Sequence, residues 1–161
     1  MNKRTLIGSL ALAGFFVALY LFLYKIGKIG NLSCSIGSCE TVNLSKWATL
    51  MGLPVAAWGV GYYIVLFGFS VASLQDRYYD SLGMSKMLVV VTGFGVLFSG
   101  WLTYLELFVI KAICQWCVTS AVIITIAFIV ASLDLIQRSR ESLSGSYGDI
   151  EGTAGNADRA D

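Results

Sequence analysis

A chain of 161 residues that is 57% hydrophobic and 13% charged, with one proline and a mean hydropathy of +0.74, has too little polar surface for a water-soluble domain and reads as a membrane protein. Its net charge of +1, from 11 basic and 10 acidic residues spread along the sequence, supplies no basic field for nucleic acid. Histidine is absent, which removes the usual general base, the Cys/His nucleophile pair and most catalytic metal sites, and leaves the chemistry to four cysteines.

The first apolar run, residues 6–24, follows Asn2-Lys3-Arg4. It is longer than the ~7–15 apolar residues of a signal peptide, so it is expected to stay as a helix rather than to be cleaved. Residues 25–53 form a loop that holds Cys34-Ser35-Ile36-Gly37-Ser38-Cys39 and then a segment with helix punctuation. Ser45 suits an N-cap, Trp47, Leu50 and Met51 can share one face, Gly52 can end the turn and Pro54 can open the next helix; a short helix at the membrane surface is expected here. Further apolar runs occupy 54–74, 87–110 and 113–136. Each of the four is about 19–24 residues long and, at ~1.5 Å per residue, reaches across a ~30 Å hydrocarbon core. Backbone groups in lipid must bond within their own segment, so the expected fold is an all-α bundle of four transmembrane helices. Gly14 and Ala18, Ala57 and Gly61, Gly68 and Ala72, and Gly95 and Ser99 put small residues four apart, where helix backbones can approach closely.

Glu106 lies well inside the third run, about two helical turns before Cys114. An intramembrane carboxylate is a functional hypothesis by default, here a proton carrier, although near a helix end it can also reach the interface or pair with Lys111. The last run opens on Cys114-Gln115-Trp116-Cys117. Residues 137–161, rich in Ser, Gly and Asp without an apolar period, are expected to be a disordered tail, which leaves a membrane domain over 1–136.

Basic residues flanking the four runs divide six to four: Lys3, Arg4, Arg77, Lys86, Arg138 and Arg140 against Lys25, Lys28, Lys46 and Lys111. That bias predicts both termini in the cytoplasm, with the loops at 25–53 and 111–113 outside. Because the first and third loops of a four-span bundle share a side, all four thiols face one compartment whichever way the bundle sits. A CxxC at a helix start puts its sulfurs on one face near the positive end of the helix dipole, which stabilises thiolate and favours thiol exchange. Two blander uses of four cysteines stay open, a Cys₄ zinc site and inert disulfides.

The order of a loop cysteine pair, then Val42, Ser45, Trp47-Ala48-Thr49, Gly52-Leu53-Pro54 and Ala56, and finally CxxC opening the last helix, resembles the vitamin K epoxide reductase family in its prokaryotic form, over about residues 6–136. DsbB-type membrane thiol oxidases carry the two cysteine pairs in the opposite order. The resemblance implies a thiol:quinone oxidoreductase that takes electrons from a separate thioredoxin-fold, DsbA-like protein and passes them to a membrane quinone of the ubiquinone or menaquinone type, in support of disulfide formation in exported proteins. It implies Cys34 and Cys39 as the shuttle pair, Cys114 as the sulfur that exchanges with Cys39, and Cys117 as the sulfur facing quinone. Ser45 matches the family's loop serine, which sits near the active site where it can bond sulfur or quinone. Trp47, Trp58, Trp116 and Tyr104 can contact a quinone ring, although such aromatics are more often interfacial anchors. Animal members have a tyrosine four residues after the second CxxC cysteine where this sequence has Ala121, so reduction of vitamin K epoxide is the lesser expectation. Many prokaryotic members are fused to a thioredoxin-like domain, whereas this sequence ends in a polar tail and implies a separate redox partner.

Overall fold

The computed structural model describes residues 3–30, 34, 38–75 and 82–157, with side chains described as far as residue 144. Arg77 of the expected inner loop, residues 35–37 between the loop cysteines and the end of the tail from 158 lie outside the described residues. Among the described residues, four helices are long and apolar enough to cross a membrane. They are α1 (Lys3–Lys25), α3 (Val55–Ala72), α4 (Leu82–Tyr104), which runs on as a π-helical stretch over Leu105–Ile110, and α5 (Gln115–Ala157). The expected four-helix membrane bundle is the fold observed.

The bundle is organised around α1. Its buried positions Ile7, Ala11, Gly14, Ala18 and Leu21 alternate in steps of four and three, the spacing that keeps one seam against neighbouring helices. That seam packs on α3 and α5, α5 also packs on α4, and α3 and α4 touch each other far less. In lipid the hydrophobic effect does not drive such packing; close van der Waals fit and interhelical hydrogen bonds do. Large apolar side chains such as Phe16, Val90, Phe94 and Leu97 stay exposed on the outside, as lipid contact requires.

The small residues serve a more specific purpose than backbone approach. A Cβ on Gly14 would run into the ring of Tyr63, and one on Gly95 into Tyr62 and Ile124. Both glycines therefore make room for tyrosines of α3, whose hydroxyls reach across the bundle: Tyr62 donates to the Val91 carbonyl at 2.9 Å and Tyr63 shares a 2.7 Å hydrogen bond with the Ser120 hydroxyl.

At the end of the bundle that holds the N-terminus, a buried polar node ties all four helices. Arg4, 1% exposed, donates to the Ser73 carbonyl at 2.6 Å and to the Ser85 hydroxyl at 2.9 Å, and pairs with Asp134 at 3.4 Å. Ser85 in turn donates to Asp134 at 2.9 Å, and Ser70 to the Arg4 carbonyl at 2.7 Å. Charges taken out of water are held only where every donor finds an acceptor, and this node meets that condition.

The loop between α1 and α3 differs in detail from its sequence reading. Its short helix is α2 (Cys39–Leu44), followed by a 3₁₀ turn over Lys46–Ala48 and a two-residue hairpin pairing β1 (Thr49–Leu50) with β2 (Leu53–Pro54). Ser45 is the C-cap of α2, and its hydroxyl donates back to the Val42 carbonyl at 2.8 Å rather than capping a following helix. Met51 and Gly52, with φ of 54° and 83°, form the hairpin turn; two successive positive φ values are what a two-residue hairpin loop demands. Gly52 thus turns a hairpin instead of ending a helix.

Helical backbone continues from Gln115 to Ala157, so no break in α5 marks the boundary expected at residue 136. Extending a helix that packing has already nucleated adds one hydrogen bond per residue fixed, and no proline interrupts this stretch.

Candidate redox site at the loop end of the bundle

Opposite the Arg4 node, the chain brings its cysteines into one cluster. Cys34 and Cys39 form a disulfide with a Cα–Cα distance of 6.3 Å, and Cys114 and Cys117 are free thiols. Cys39 and Cys114 are 1% and 0% exposed and belong to the same buried cluster with Leu21 and Val42, against which Cys34 and Cys117 pack. The two pairs therefore share one end of the bundle, as the span count predicted.

Local backbone geometry sets this up. The π-helical stretch closes on Lys111, which adopts a left-handed φ of 55°, a conformation that costs a residue with a Cβ and persists only where its surroundings impose it. The Ala112 N–H donates to the Glu106 carbonyl at 3.1 Å, so α4 ends by folding the chain back on itself. Ile113 then lies alongside Ser38, whose N–H donates to the Ile113 carbonyl at 3.0 Å. These are the residues directly before Cys39 and Cys114, and that single bond fixes the two cysteine segments side by side.

Cys114 sits just ahead of α5, its carbonyl accepting the Val118 N–H at 3.0 Å, which is the N-cap arrangement. Its own N–H is one of the orphan donors of a helix start, and the Glu106 carboxylate accepts it at 3.0 Å. The Cys117 thiol is a close electrostatic neighbour of the same carboxylate. Glu106 is 5% exposed. The Cys114 thiol is held below its ordinary pKa, chiefly by the side-chain hydrogen bond with Cys117, against the opposing pull of burial and of Glu106's charge.

Beside this pair opens a cavity of about 800 Å³, lined by residues of all five helices and of the hairpin loop between α2 and α3. Its walls are largely apolar, with Leu21, Ala57, Phe94 and Phe98 among them, and the polar groups on it include Asn43, Tyr63, Glu106 and Ser120. Cys114 and Cys117 are on its wall; Cys34 and Cys39 are not. Trp47 and Trp58 line it as well, whereas Trp116 packs on Tyr20 at 5.1 Å and Tyr104 stacks on Phe108 at 4.9 Å. Ser45 is not a wall residue, but the carbonyl it bonds belongs to Val42, which is. Among the described residues no three His, Cys, Asp or Glu side chains converge to hold a metal ion.

Three features of this end escaped sequence reasoning. Asn43 is buried and spans from α2 to α1, its amide donating to the Leu21 carbonyl at 3.3 Å while Lys25 donates to its own carbonyl at 2.5 Å. Tyr63 and Ser120 meet across the cavity, and Ser120 lies three residues after Cys117 on the same helix face. That spacing from the CxxC was the available signal for Ser120; nothing local marks Tyr63 or Asn43.

A family model described as the vitamin K epoxide reductase family matches residues 5–132. The match takes in both cysteine pairs and Glu106 and reaches into all four membrane-spanning segments. The chain belongs to the vitamin K epoxide reductase family, and with it to the quinone-linked thiol–disulfide oxidoreductases of membranes.

Proposed function

We propose that the protein oxidises a thioredoxin-fold, DsbA-like partner and passes the electrons to a membrane quinone, so sustaining disulfide formation in exported proteins. The observation that carries this is the division of labour between the pairs. Cys34–Cys39 lies outside the cavity and abuts Cys114, while Cys114 and Cys117 are on the wall of an apolar cavity whose volume falls within the ~300–1,000 Å³ usual for small-molecule sites. Its apolar walls suit a flat ring with a hydrocarbon tail of the ubiquinone or menaquinone type. A quinone bound there supplies a two-electron sink.

The chain's own steps are thiol exchanges. A partner thiolate attacks Cys34, which is more accessible than buried Cys39, and frees Cys39 as a thiolate. The partner's second thiol then releases it from Cys34, leaving the partner oxidised. Cys39 attacks Cys114 in an oxidised Cys114–Cys117 pair, and Cys117 leaves as a thiolate at the cavity wall, where it takes up one of the protons released by the partner's thiols and rests as the thiol. Acidity alone would favour Cys114 as the leaving sulfur, but access decides, because the Ser38 to Ile113 bond sets Cys39 beside Cys114. Cys34 then attacks Cys39, restoring the loop disulfide and the Cys114 thiol. A loop disulfide with free CxxC thiols is the state in which electrons await the acceptor.

Ser45 acts in this scheme by fixing Val42 at the cavity. The loop end faces the extracytoplasmic side with both termini cytoplasmic, residues 1–136 form the catalytic membrane domain, and 137–161 is an appendage to it. The test is turnover: reduced thioredoxin-fold protein, purified enzyme and ubiquinone-1 or a short-chain menaquinone, followed by quinone absorbance. Turnover should require all four cysteines. Unchanged turnover after loss of either pair would contradict the proposal.

A further inference from the structure

Quinone reduction moves two protons as well as two electrons, and a buried apolar cavity has few groups able to carry them. The titratable residues on its wall are Tyr62, Tyr63, Glu106, Cys114 and Cys117. Both tyrosines spend their hydroxyls elsewhere, on Val91 and Ser120. Among the described residues, Glu106 is the carboxylate that joins the pair to the cavity, since it accepts the Cys114 N–H at 3.0 Å, lies on the cavity wall with Cys117 and is an electrostatic neighbour of the Cys117 thiol.

We propose that Glu106 is the proton-transfer residue of the CxxC pair, taking the Cys117 thiol proton and delivering it to a quinone oxygen. The proposal rests on the assignment of Cys114–Cys117 as the quinone-facing pair. In each cycle two S–H bonds break, one S–S bond forms between Cys114 and Cys117, and two electrons and two protons convert quinone to quinol. One proton passes from Cys117 through the Glu106 carboxylate, which is regenerated when the quinone oxygen takes it. The other is lost where the Cys114 thiol ionises and is made good from the aqueous side of the loop. General acid–base assistance of this kind contributes about 10²–10⁴-fold to a rate.

A purely structural role is the competing possibility, because a carboxylate oxygen on an orphan helix N–H is a cap in its own right. Glu106→Gln separates the two, since it keeps an oxygen for the Cys114 N–H and cannot carry the proton. In single-turnover oxidation of the fully reduced protein by ubiquinone-1, Glu106→Gln should slow formation of the Cys114–Cys117 disulfide about 100-fold or more, with the loop disulfide forming normally on mild oxidation. A second readout needs no quinone. The infrared difference spectrum between the dithiol and disulfide states of the wild-type protein should contain a carboxylate stretching band, because the disulfide leaves no Cys117 thiol proton beside Glu106, and Glu106→Gln should lose it. Wild-type rates in Glu106→Gln, or a wild-type spectrum with no such band, would overturn the proposal. Should wild-type protein fail to reduce quinone while its carboxyl band responds to CxxC oxidation, the quinone assignment fails and the coupling of Glu106 to Cys117 stands.

Discussion

The Ser38 N–H and the Ile113 carbonyl meet at 3.0 Å, and this one backbone bond holds the first loop against the start of the last helix. Cys39 follows one residue and Cys114 the other, so the loop disulfide is docked on the CxxC and does not swing free.

Docking of this kind predicts a trapped intermediate. Cys34 is the thiol that returns Cys39 to the loop disulfide, so Cys34→Ser should accumulate a Cys39–Cys114 bond, which requires Cα atoms within roughly 4.4–6.8 Å. Cleavage between Arg77 and Lys86 should then give two fragments that stay joined until reductant is added. With Cys39→Ser as well, they should separate without it. Free separation of the folded single variant would exclude exchange between the pairs.

At the cavity, Cys117→Ala should abolish quinone reduction and leave the fold in place, because Cys117 lies at the start of α5 beside an open cavity. Loss of activity with an unchanged melting temperature is the expected result. Near-normal quinone turnover would remove Cys117 from the electron path.

Much of this was legible in the sequence, and the limits are instructive. Hydropathy located the four spans but undercounted their ends: the first helix begins at Lys3, because Arg4 is carried inside by Asp134, a partner 130 residues away that no local window sees. The CxxC was placed correctly at a helix start. Glu106 was visible as an anomaly, yet its contact with the CxxC depends on the chain reversal at Lys111, whose left-handed backbone carries no glycine to announce it. Ser45 and Gly52 were read with sound local rules and took other positions, since Cys39 already opens a helix six residues earlier and the hairpin claims Met51 and Gly52.

The Arg4 node should be among the most sensitive points of the fold. Arg4→Met leaves Asp134 buried with Arg138 as its remaining ionic partner and should cost about 3 kcal/mol, the lower end for breaking a buried pair. Arg4→Met combined with Asp134→Leu should recover most of that loss. Thermal unfolding in detergent, read by thiol accessibility, measures both; a double variant less stable than Arg4→Met would contradict the pairing.

Gly14→Ala should displace the Tyr63 ring that occupies its surface and cost about 1–3 kcal/mol, as overpacking does. The same change should loosen the Tyr63 to Ser120 bond at the cavity, so weaker quinone binding should accompany the lower melting temperature. An unchanged melting temperature would mean the helices can separate there freely.

The order of electron flow is the central claim, and time-resolved thiol trapping tests it most directly. Fully reduced protein is mixed with ubiquinone-1, quenched at intervals with a maleimide, and each cysteine pair is scored by mass. The Cys114–Cys117 disulfide should form first and the Cys34–Cys39 disulfide later, and Cys39→Ser should stop after the first step. Oxidation of Cys34–Cys39 ahead of Cys114–Cys117, or quinone that changes neither pair, would contradict it.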